Sequence, residues 1–134
     1  MAGSFSDYLE VELLDEIVGK TAYVMPTAYV ALCTADPTDA GVGTAMGEVA
    51  GGAYARVVTA GSDWAAAAAG ATSNAVAITF PEATASWGTV THFALVDASA
   101  SGNMLLHGDL SVSKAVTSGD TVSFAIGALD ITLD

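Results

Sequence analysis

The sequence is short of positive charge, with three lysine and arginine residues against fifteen aspartates and glutamates and a formal net charge of −12. Nucleic-acid binding takes most of its affinity from Lys and Arg that neutralise phosphates, and adhesion to an anionic membrane needs a basic patch. Three scattered cations supply neither, so both classes of partner are excluded. Strong acidity favours solubility instead, and it makes copies of the chain repel each other unless apolar contacts offset that repulsion.

Cysteine, targeting signals and long apolar runs are also scarce. The single cysteine, Cys33, allows no disulfide within the chain, and its apolar neighbours predict a buried small side chain. The N-terminal segment lacks the basic start and the unbroken apolar stretch of a secretory signal. No segment approaches the roughly 20 apolar residues that cross a bilayer. We therefore expect a soluble protein that is made in the cytoplasm of its host.

The length of 134 residues favours a single domain over residues 1–134, because two halves of this size would each be marginally stable. Hydrophobic residues make up 52% of the chain, but many of these are alanine and only 7% of the residues are aromatic. We expect a thin core that is filled by Val, Ile, Leu and Phe from strands.

Residues 4–19 are predicted to form an N-terminal amphipathic helix. Ser4 or Ser6 can cap its start, and Gly19 supplies its end. Apolar residues recur at a four-residue step and form a stripe, which consists of Phe5, Leu9, Leu13 and Ile17, widened by Leu14 and Val18.

The two faces of this helix have different expected environments. The acidic face, with Glu12, Asp15 and Glu16, is expected to face water. The apolar stripe has to pack either on the protein's own sheet or on a neighbouring subunit, and both alternatives stay open.

Residues 27–134 are predicted to form a β-domain. Short segments with alternating apolar residues, separated by turn-forming residues, predict about eight strands, at 27–34, 53–59, 74–80, 90–97, 104–110, 112–116, 121–126 and 129–133. Strands of this length and spacing predict a mainly β fold, an antiparallel β-sandwich or barrel with one N-terminal helix. The glycine-rich segment 41–52 is predicted to be a long loop, and the alanine-rich segment 61–73 an irregular crossing.

The residues that carry chemistry are concentrated between Ala85 and Ser111, a segment that contains both histidines. Alternation places His92 and His107 beside apolar residues, so they can meet across a strand pair. A metal site needs three or four converging ligands, and no histidine spacing typical of one is present. Asp97 is expected to bind backbone N–H groups of a hairpin loop. No serine lies in a G-x-S-x-G setting. We predict no catalytic residue, no metal site and no cofactor.

Loop carboxylates and aromatic residues are the remaining candidates. Four acids on loops or strand ends could bind calcium, but no EF-hand or nonapeptide pattern organises them: Asp36, Asp39, Glu48 and Asp109. Four aromatic residues could form a sugar-stacking platform, although such residues more often fill the core of a small β-domain: Tyr29, Tyr54, Trp64 and Trp87.

Several stretches occur together in the order found in a family of small tailed-bacteriophage proteins, and they are SFSDYLEVELLDEIVGKTAY, YVALCTADP, GGAYARV, SNAVAITFPEATASWGTVTHFALVDA and SGDTVSFAIGALDITLD. The sequence resembles the family usually labelled phage tail fibre protein. The resemblance covers most of the chain and is weakest at 40–47 and 62–71. It implies a non-enzymatic structural component of the virion.

Within that resemblance we expect a capsid decoration, or cement, protein on the head exterior, because the chain has neither the repeats nor the length of a fibre shaft. The alternative is a tail-fibre or receptor-binding module that recognises host glycans. In both cases we expect a homo-oligomer, with a trimer as the first expectation, bound to the major capsid protein or other virion proteins. The candidate contact residues are Phe5, Leu9, Leu13, Ile17, Gly51, Gly52, Trp64 and Trp87.

Overall fold

A computed structural model describes residues 3–133 of the chain. Its elements in chain order are β1 (Gly3–Phe5), α1 (Asp7–Ile17), β2 (Tyr29–Cys33), β3 (Val57–Val58), a 3-10 turn (Gly61–Asp63), β4 (Ala71–Ser73), β5 (Ile78–Thr79), β6 (Gly88–Val96), β7 (Met104–Val116), β8 (Ser123–Phe124) and β9 (Asp130–Thr132). The mainly β, antiparallel fold predicted from the sequence is confirmed, and none of the described sheets closes into a barrel.

The strands form one central sheet and two small ribbons. The sheet has the order β1-β7-β6-β2-β3, and its strand pairs are antiparallel. The ribbons pair β4 with β9 and β5 with β8. Strands β6 and β7 form the predicted hairpin, and Asp97 closes its loop as expected: its carboxylate accepts the backbone N–H of Asn103 at 2.7 Å and the side-chain amide of Asn103 at 2.9 Å.

The two predicted strands 104–110 and 112–116 are a single strand, β7. Val90 pairs with Lys114 and His92 pairs with Asp109, so residues 110–113 stand opposite Thr91 alone. The alternation of the sequence breaks near Ser111 because the strand bulges there, and a bulge interrupts the pattern without ending the strand.

The N-terminal helix is shorter than predicted. Ser4 and Phe5 belong to β1, where they pair with β7, and α1 begins at Asp7. Ser6 is the residue that caps it, since its hydroxyl accepts the Leu9 N–H at 3.2 Å. Gly19 follows the helix with φ +73, the left-handed conformation that glycine adopts without strain. Within residues 3–133 no helix combines the length and the apolar character that membrane crossing requires.

Both faces of the central sheet are covered. One face contributes Val30, Leu32 and Phe93 to the main core, which also contains Phe80 and Trp87. The opposite face forms a second, smaller cluster of buried apolar residues, which are Ala31, Cys33, Met46, Ala94, Val96 and Met104. The loop after β2 therefore acts as a cover for this second face, since it supplies Met46.

Candidate functional site

The two histidines share one face of the sheet, as the alternation predicted. Ala94 pairs with His107 and His92 pairs with Asp109, so the two imidazoles lie diagonally across the β6–β7 pair. They make no hydrogen bond to each other among the described contacts, because each ring is engaged elsewhere. His92 Nδ1 lies 2.8 Å from the hydroxyl of Thr91, and His107 contacts the loop after β2.

His107 lies at the centre of a polar cluster that joins three segments of the chain. The ring is 9% exposed, and its Nε2 is 2.9 Å from a carboxylate oxygen of Asp39. Asp36 lies 3.6 Å from Nδ1 on the other side of the ring. The hydroxyl of Ser4, in β1, donates a hydrogen bond to Asp39 and lies 3.4 Å from His107 Nε2. The cluster thus fastens the loop that carries the two aspartates to β1 and β7.

Asp39 has a second role at the start of the helix. Its backbone carbonyl accepts the N–H of Asp7, at 2.9 Å, which is one of the donors that a helix leaves without a partner in its first turn. The hydrogen bonds from Ser4 and then from His107 lower the pKa of the Asp39 carboxyl, because both favour its ionised form. This aspartate therefore links the loop to the helix and to the sheet at once.

The cluster contains serine, histidine and aspartate, but its connections are not those of a catalytic triad. In a triad the serine and the carboxylate contact opposite nitrogens of the imidazole, which lets the ring take the serine proton. Here Ser4 and Asp39 both approach Nε2, and the Ser4 proton is directed to Asp39. The Nδ1 contact with Asp36, at 3.6 Å, is longer than a hydrogen bond.

The space beside the cluster is too small for a substrate. A cavity of about 30 Å³ is lined by Ser4, Phe5, His107 and the C-terminal residues 130–133. A cavity of this size can hold ordered water but lies far below the roughly 300–1,000 Å³ of ligand pockets. A wider groove of about 510 Å³ lies between β7 and residues 122–130, with Leu110, Val112 and Phe124 among its apolar walls. In the described part of the chain, no three His, Cys, Asp or Glu side chains are placed to hold a metal ion.

The sequence reasoning missed a second polar network, which is centred on Arg56. Its side chain is only 3% exposed and forms a two-pronged ion pair with Glu48, with both N–O distances at 2.7 Å. The remaining N–H groups donate to three backbone carbonyls, of Gly43 at 2.9 Å, Ala98 at 2.8 Å and Ser101 at 2.9 Å. All five guanidinium donors are therefore used, and they tie the loop after β2 to the β6–β7 hairpin.

Tyr54 extends this network into the core. Its hydroxyl donates to Glu48 at 2.7 Å and accepts the backbone N–H of Leu32 at 3.0 Å. Burial raises the pKa of the Tyr54 phenol, and the hydrogen bonds from Arg56 to Glu48 raise the pKa of the guanidinium, so both stay protonated. The only sequence signal for this network was the scarcity of basic residues. An acid that is removed from solvent can find a lysine or arginine partner only among Lys20, Arg56 and Lys114.

The remaining candidates lie apart from one another. Cys33 is fully buried, and burial raises the pKa of its thiol to about 12, so it is not an activated nucleophile. Trp87 is 4% exposed and donates its indole N–H to Gly52 at 2.9 Å. Trp64 is half-buried and donates to the hydroxyl of Thr59 at 3.1 Å. The two tryptophans form no ring pair with each other among the described aromatic contacts.

The candidate contact residues fall into buried and exposed groups. Leu9 and Trp87 belong to the core, and Phe5, Leu13, Trp64 and Gly52 are half-buried. Ile17, which is 77% exposed, and Gly51 lie on the surface. The helix stripe therefore packs on the protein's own sheet at its N-terminal end and leaves the sheet at its C-terminal end. A role of the exposed residues in contacts with a partner stays a prediction.

The described residues form an acidic, antiparallel β-protein in which both polar clusters connect segments that are far apart in the chain. A family model described as Podophage GP4 fiber I protein gp80 matches residues 4–132, and the chain belongs to this family. The protein is therefore a structural component of a phage virion, and the resemblance to phage tail fibre proteins is confirmed. No curated protein matches the chain.

Proposed function

We propose that the protein is a structural subunit of a phage tail fibre and that it acts without catalysis. The observation that carries the proposal is the family match over residues 4–132, because it includes α1 and nearly the whole β-domain. The family is described as a fibre protein, and this favours the fibre over the capsid decoration that we expected first.

The internal bracing of the chain supports this role. A fibre subunit has to keep its shape while it is held at one end and pulled at the other. Arg56 joins the loop after β2 to the β6–β7 hairpin, and the His107 cluster joins the same loop to β1. Such connections cross between segments far apart in sequence and therefore resist the separation of one part of the domain from another.

Two observations favour a structural role over catalysis or sugar stacking. Ser4 and His107 lack the geometry of a nucleophile and its base, and the adjoining cavity of about 30 Å³ admits no substrate. The chain has two Trp, four Tyr and four Phe residues, and every one of them is buried or half-buried. A sugar platform needs an exposed ring face, so we propose that this chain supports the fibre rather than stacking on host glycans.

Capsid decoration remains a second candidate because of one feature of the sequence. These 134 residues contain no internal repeat, and their formal net charge is −12, both of which suit a compact unit spread over a surface. In that role the partner would be the major capsid protein.

The position of the protein on the particle separates the two candidates. Antibodies raised against the purified chain are bound to purified phage particles and located by gold labelling in electron micrographs. We expect a small number of labels, all at the tail. Labels spread evenly over the head, in hundreds per particle, would replace the fibre proposal by capsid decoration. Antibodies absorbed beforehand with the purified chain provide the control, because they should leave both positions unlabelled.

A further inference from the structure

Helix α1 has apolar side chains on two opposite sides. Its inner side packs on the protein, with Leu9 2% exposed and Leu13 half-buried. At 100° per residue, Val11, Leu14 and Val18 lie within about 60° of one another and on the side opposite Leu9. These three residues, which we name the outer seam, are 60%, 61% and 72% exposed.

The outer seam is part of an unusual concentration of exposed apolar residues. In residues 3–133, twelve large hydrophobic side chains are exposed, and half of them lie between positions 11 and 25: Val11, Leu14, Ile17, Val18, Val24 and Met25. The other six are distributed over the rest of the chain. A helix that is apolar on both sides is normally buried, and concentrated exposed apolar surface marks an interface.

The segment that follows the helix is held in place against it. Lys20 donates its backbone N–H to the Asp15 carbonyl at 2.8 Å, and the Glu16 carboxylate accepts the backbone N–H of Tyr23. The ring of Tyr23 packs edge-on against Tyr8, with 6.5 Å between the ring centres. The exposure of Val24 and Met25 is therefore a feature of an ordered segment that hydrogen bonds and ring packing fix to α1.

We propose that the outer seam packs against the outer seam of α1 in a second copy of this chain. The proposal rests on the fibre role, since a chain without repeats contributes to an extended fibre only together with further chains. The spacing of three and then four residues is that of a coiled-coil seam, and the same seam on two copies is complementary to itself. The three seam side chains offer roughly 300 Å² of apolar surface, and the neighbouring exposed side chains of Ile17, Val24 and Met25 raise this to roughly 600 Å², against the ~800 Å² per partner that a standard interface buries.

The charge distribution on α1 permits this contact in spite of the acidity of the chain. Glu12 and Asp15, which were expected to face water, are half-buried because the helix lies against the body of the protein, and the exposed Glu16 is bound to Tyr23. At 100° per residue Asp15 lies at the edge of the seam, about 40° from Val11, and the exposed Asp7 lies within the arc of the seam, one turn before Val11. The N-terminal end of the seam carries two exposed acids, Asp7 and Glu10, and Lys20, exposed and without an acidic partner among residues 3–133, follows its C-terminal end. A second copy packed antiparallel to the first brings Lys20 of each copy close to the acids at the N-terminal end of the other. An acidic partner of another kind gains only the contact with Lys20.

The first test is sedimentation of the purified full-length chain and of its Leu14→Glu variant. We expect the wild type to associate and Leu14→Glu to weaken association by roughly tenfold or more, since a buried carboxylate at the centre of the contact is strongly unfavourable. The control is Val112→Glu, because Val112 is equally exposed, at 64%, but lies on β7. A monomeric wild type, or an equal loss of association in both variants, would overturn the proposal.

A second variant keeps the test decisive if Leu14→Glu fails to fold. In Leu14→Cys the only other thiol, Cys33, is fully buried, so mild oxidation reports on position 14 alone. We expect a disulfide-linked dimer, and none from Val112→Cys under the same conditions. Equal cross-linking of the two variants would contradict the seam contact. These results are independent of the particle labelling: a label on the head would overturn the fibre role alone, and a monomeric chain the seam alone.

Discussion

The two regions that flank the central sheet use charge and apolar surface in opposite ways. The loop between β2 and β3 buries apolar side chains such as Met46 and Val49, and it is held by a buried ion pair between Glu48 and Arg56. Helix α1 buries Leu9 but leaves Leu14 in solvent, and its charged side chains form no ion pair within residues 3–133. The irregular segment is thus the more completely packed of the two.

This difference indicates which region keeps the shape of the subunit and which region contacts other chains. A buried arginine with all its donors used fixes one arrangement of the surrounding backbone, because any displacement leaves charged and polar groups without partners. An exposed apolar seam fixes nothing within the monomer and gains stability only in an assembly. We infer that the loop region determines the shape of the subunit and that α1 connects it to others.

The largest effect is expected from Arg56→Met, which removes the charge but keeps much of the apolar stem. Glu48 would be left half-buried without its cation, with 19% of its side chain exposed, and three backbone carbonyls would lose their donor. Breaking a fully buried ion pair costs about 3–5 kcal/mol of the free energy of unfolding, and we expect a loss near the lower end of this range, about 3 kcal/mol, because Glu48 is half-buried; urea denaturation measures it.

The matched control is Lys114→Met, since Lys114 is exposed and forms no ion pair in the described part of the chain. Its effect should stay within about 0.5 kcal/mol. Similar losses from the two variants would show that the Arg56 network does not hold the loop, and the comparison between the two regions would fail.

A smaller effect separates the two sides of α1. We expect Leu9→Ala to lower the free energy of unfolding by about 2–4 kcal/mol, because its side chain is 2% exposed and its loss leaves a cavity. Leu14→Ala should change it by less than about 0.5 kcal/mol when the protein is dilute enough to be monomeric. Both are leucine-to-alanine changes in one helix, so helix propensity cancels. Equal destabilisation at low concentration would mean that the outer seam is packed within the monomer.

Much of the fold follows from local sequence patterns. The cap at Ser6, the stop at Gly19 and the closure of the hairpin loop by Asp97 were predictable, because each depends on residues close together in the chain. The side of α1 that meets the sheet was predicted only in part. The predicted stripe extends to Ile17, but its burial ends earlier because the sheet contacts only the first part of the helix. The length of that contact depends on where β1 and β7 lie, which the sequence of the helix does not indicate.

The two polar networks were beyond the reach of sequence patterns. Asp39 and His107 are separated by 68 positions, and Ser4 and Asp39 by 35, so no local spacing indicates that they meet. The segment 41–52 was predicted to be a long loop because it is rich in glycine, a residue usually associated with conformational freedom. At Gly43 the reason is a close approach instead: a Cβ there would lie 1.9 Å from the Ser101 carbonyl oxygen.

The smallest effect is expected at the edge of the braced region, from Asp39→Asn, and it should depend on pH. The pKa of Asp39 is lowered in the folded chain, so this carboxylate stabilises the fold above about pH 4, its range in unfolded chains, and loses that contribution as the pH falls through its lowered value. Asp39→Asn should therefore melt below the wild type near neutral pH, and the difference should shrink in acid. Solvent screens the effect, since 54% of the side chain is exposed. The control is Glu82→Gln, since Glu82 is exposed and has no described hydrogen bond, and it should show no such convergence between pH 7 and pH 2. If the melting temperature of Asp39→Asn stays below that of the wild type by the same amount over this range, the cluster does not stabilise the fold through ionised Asp39.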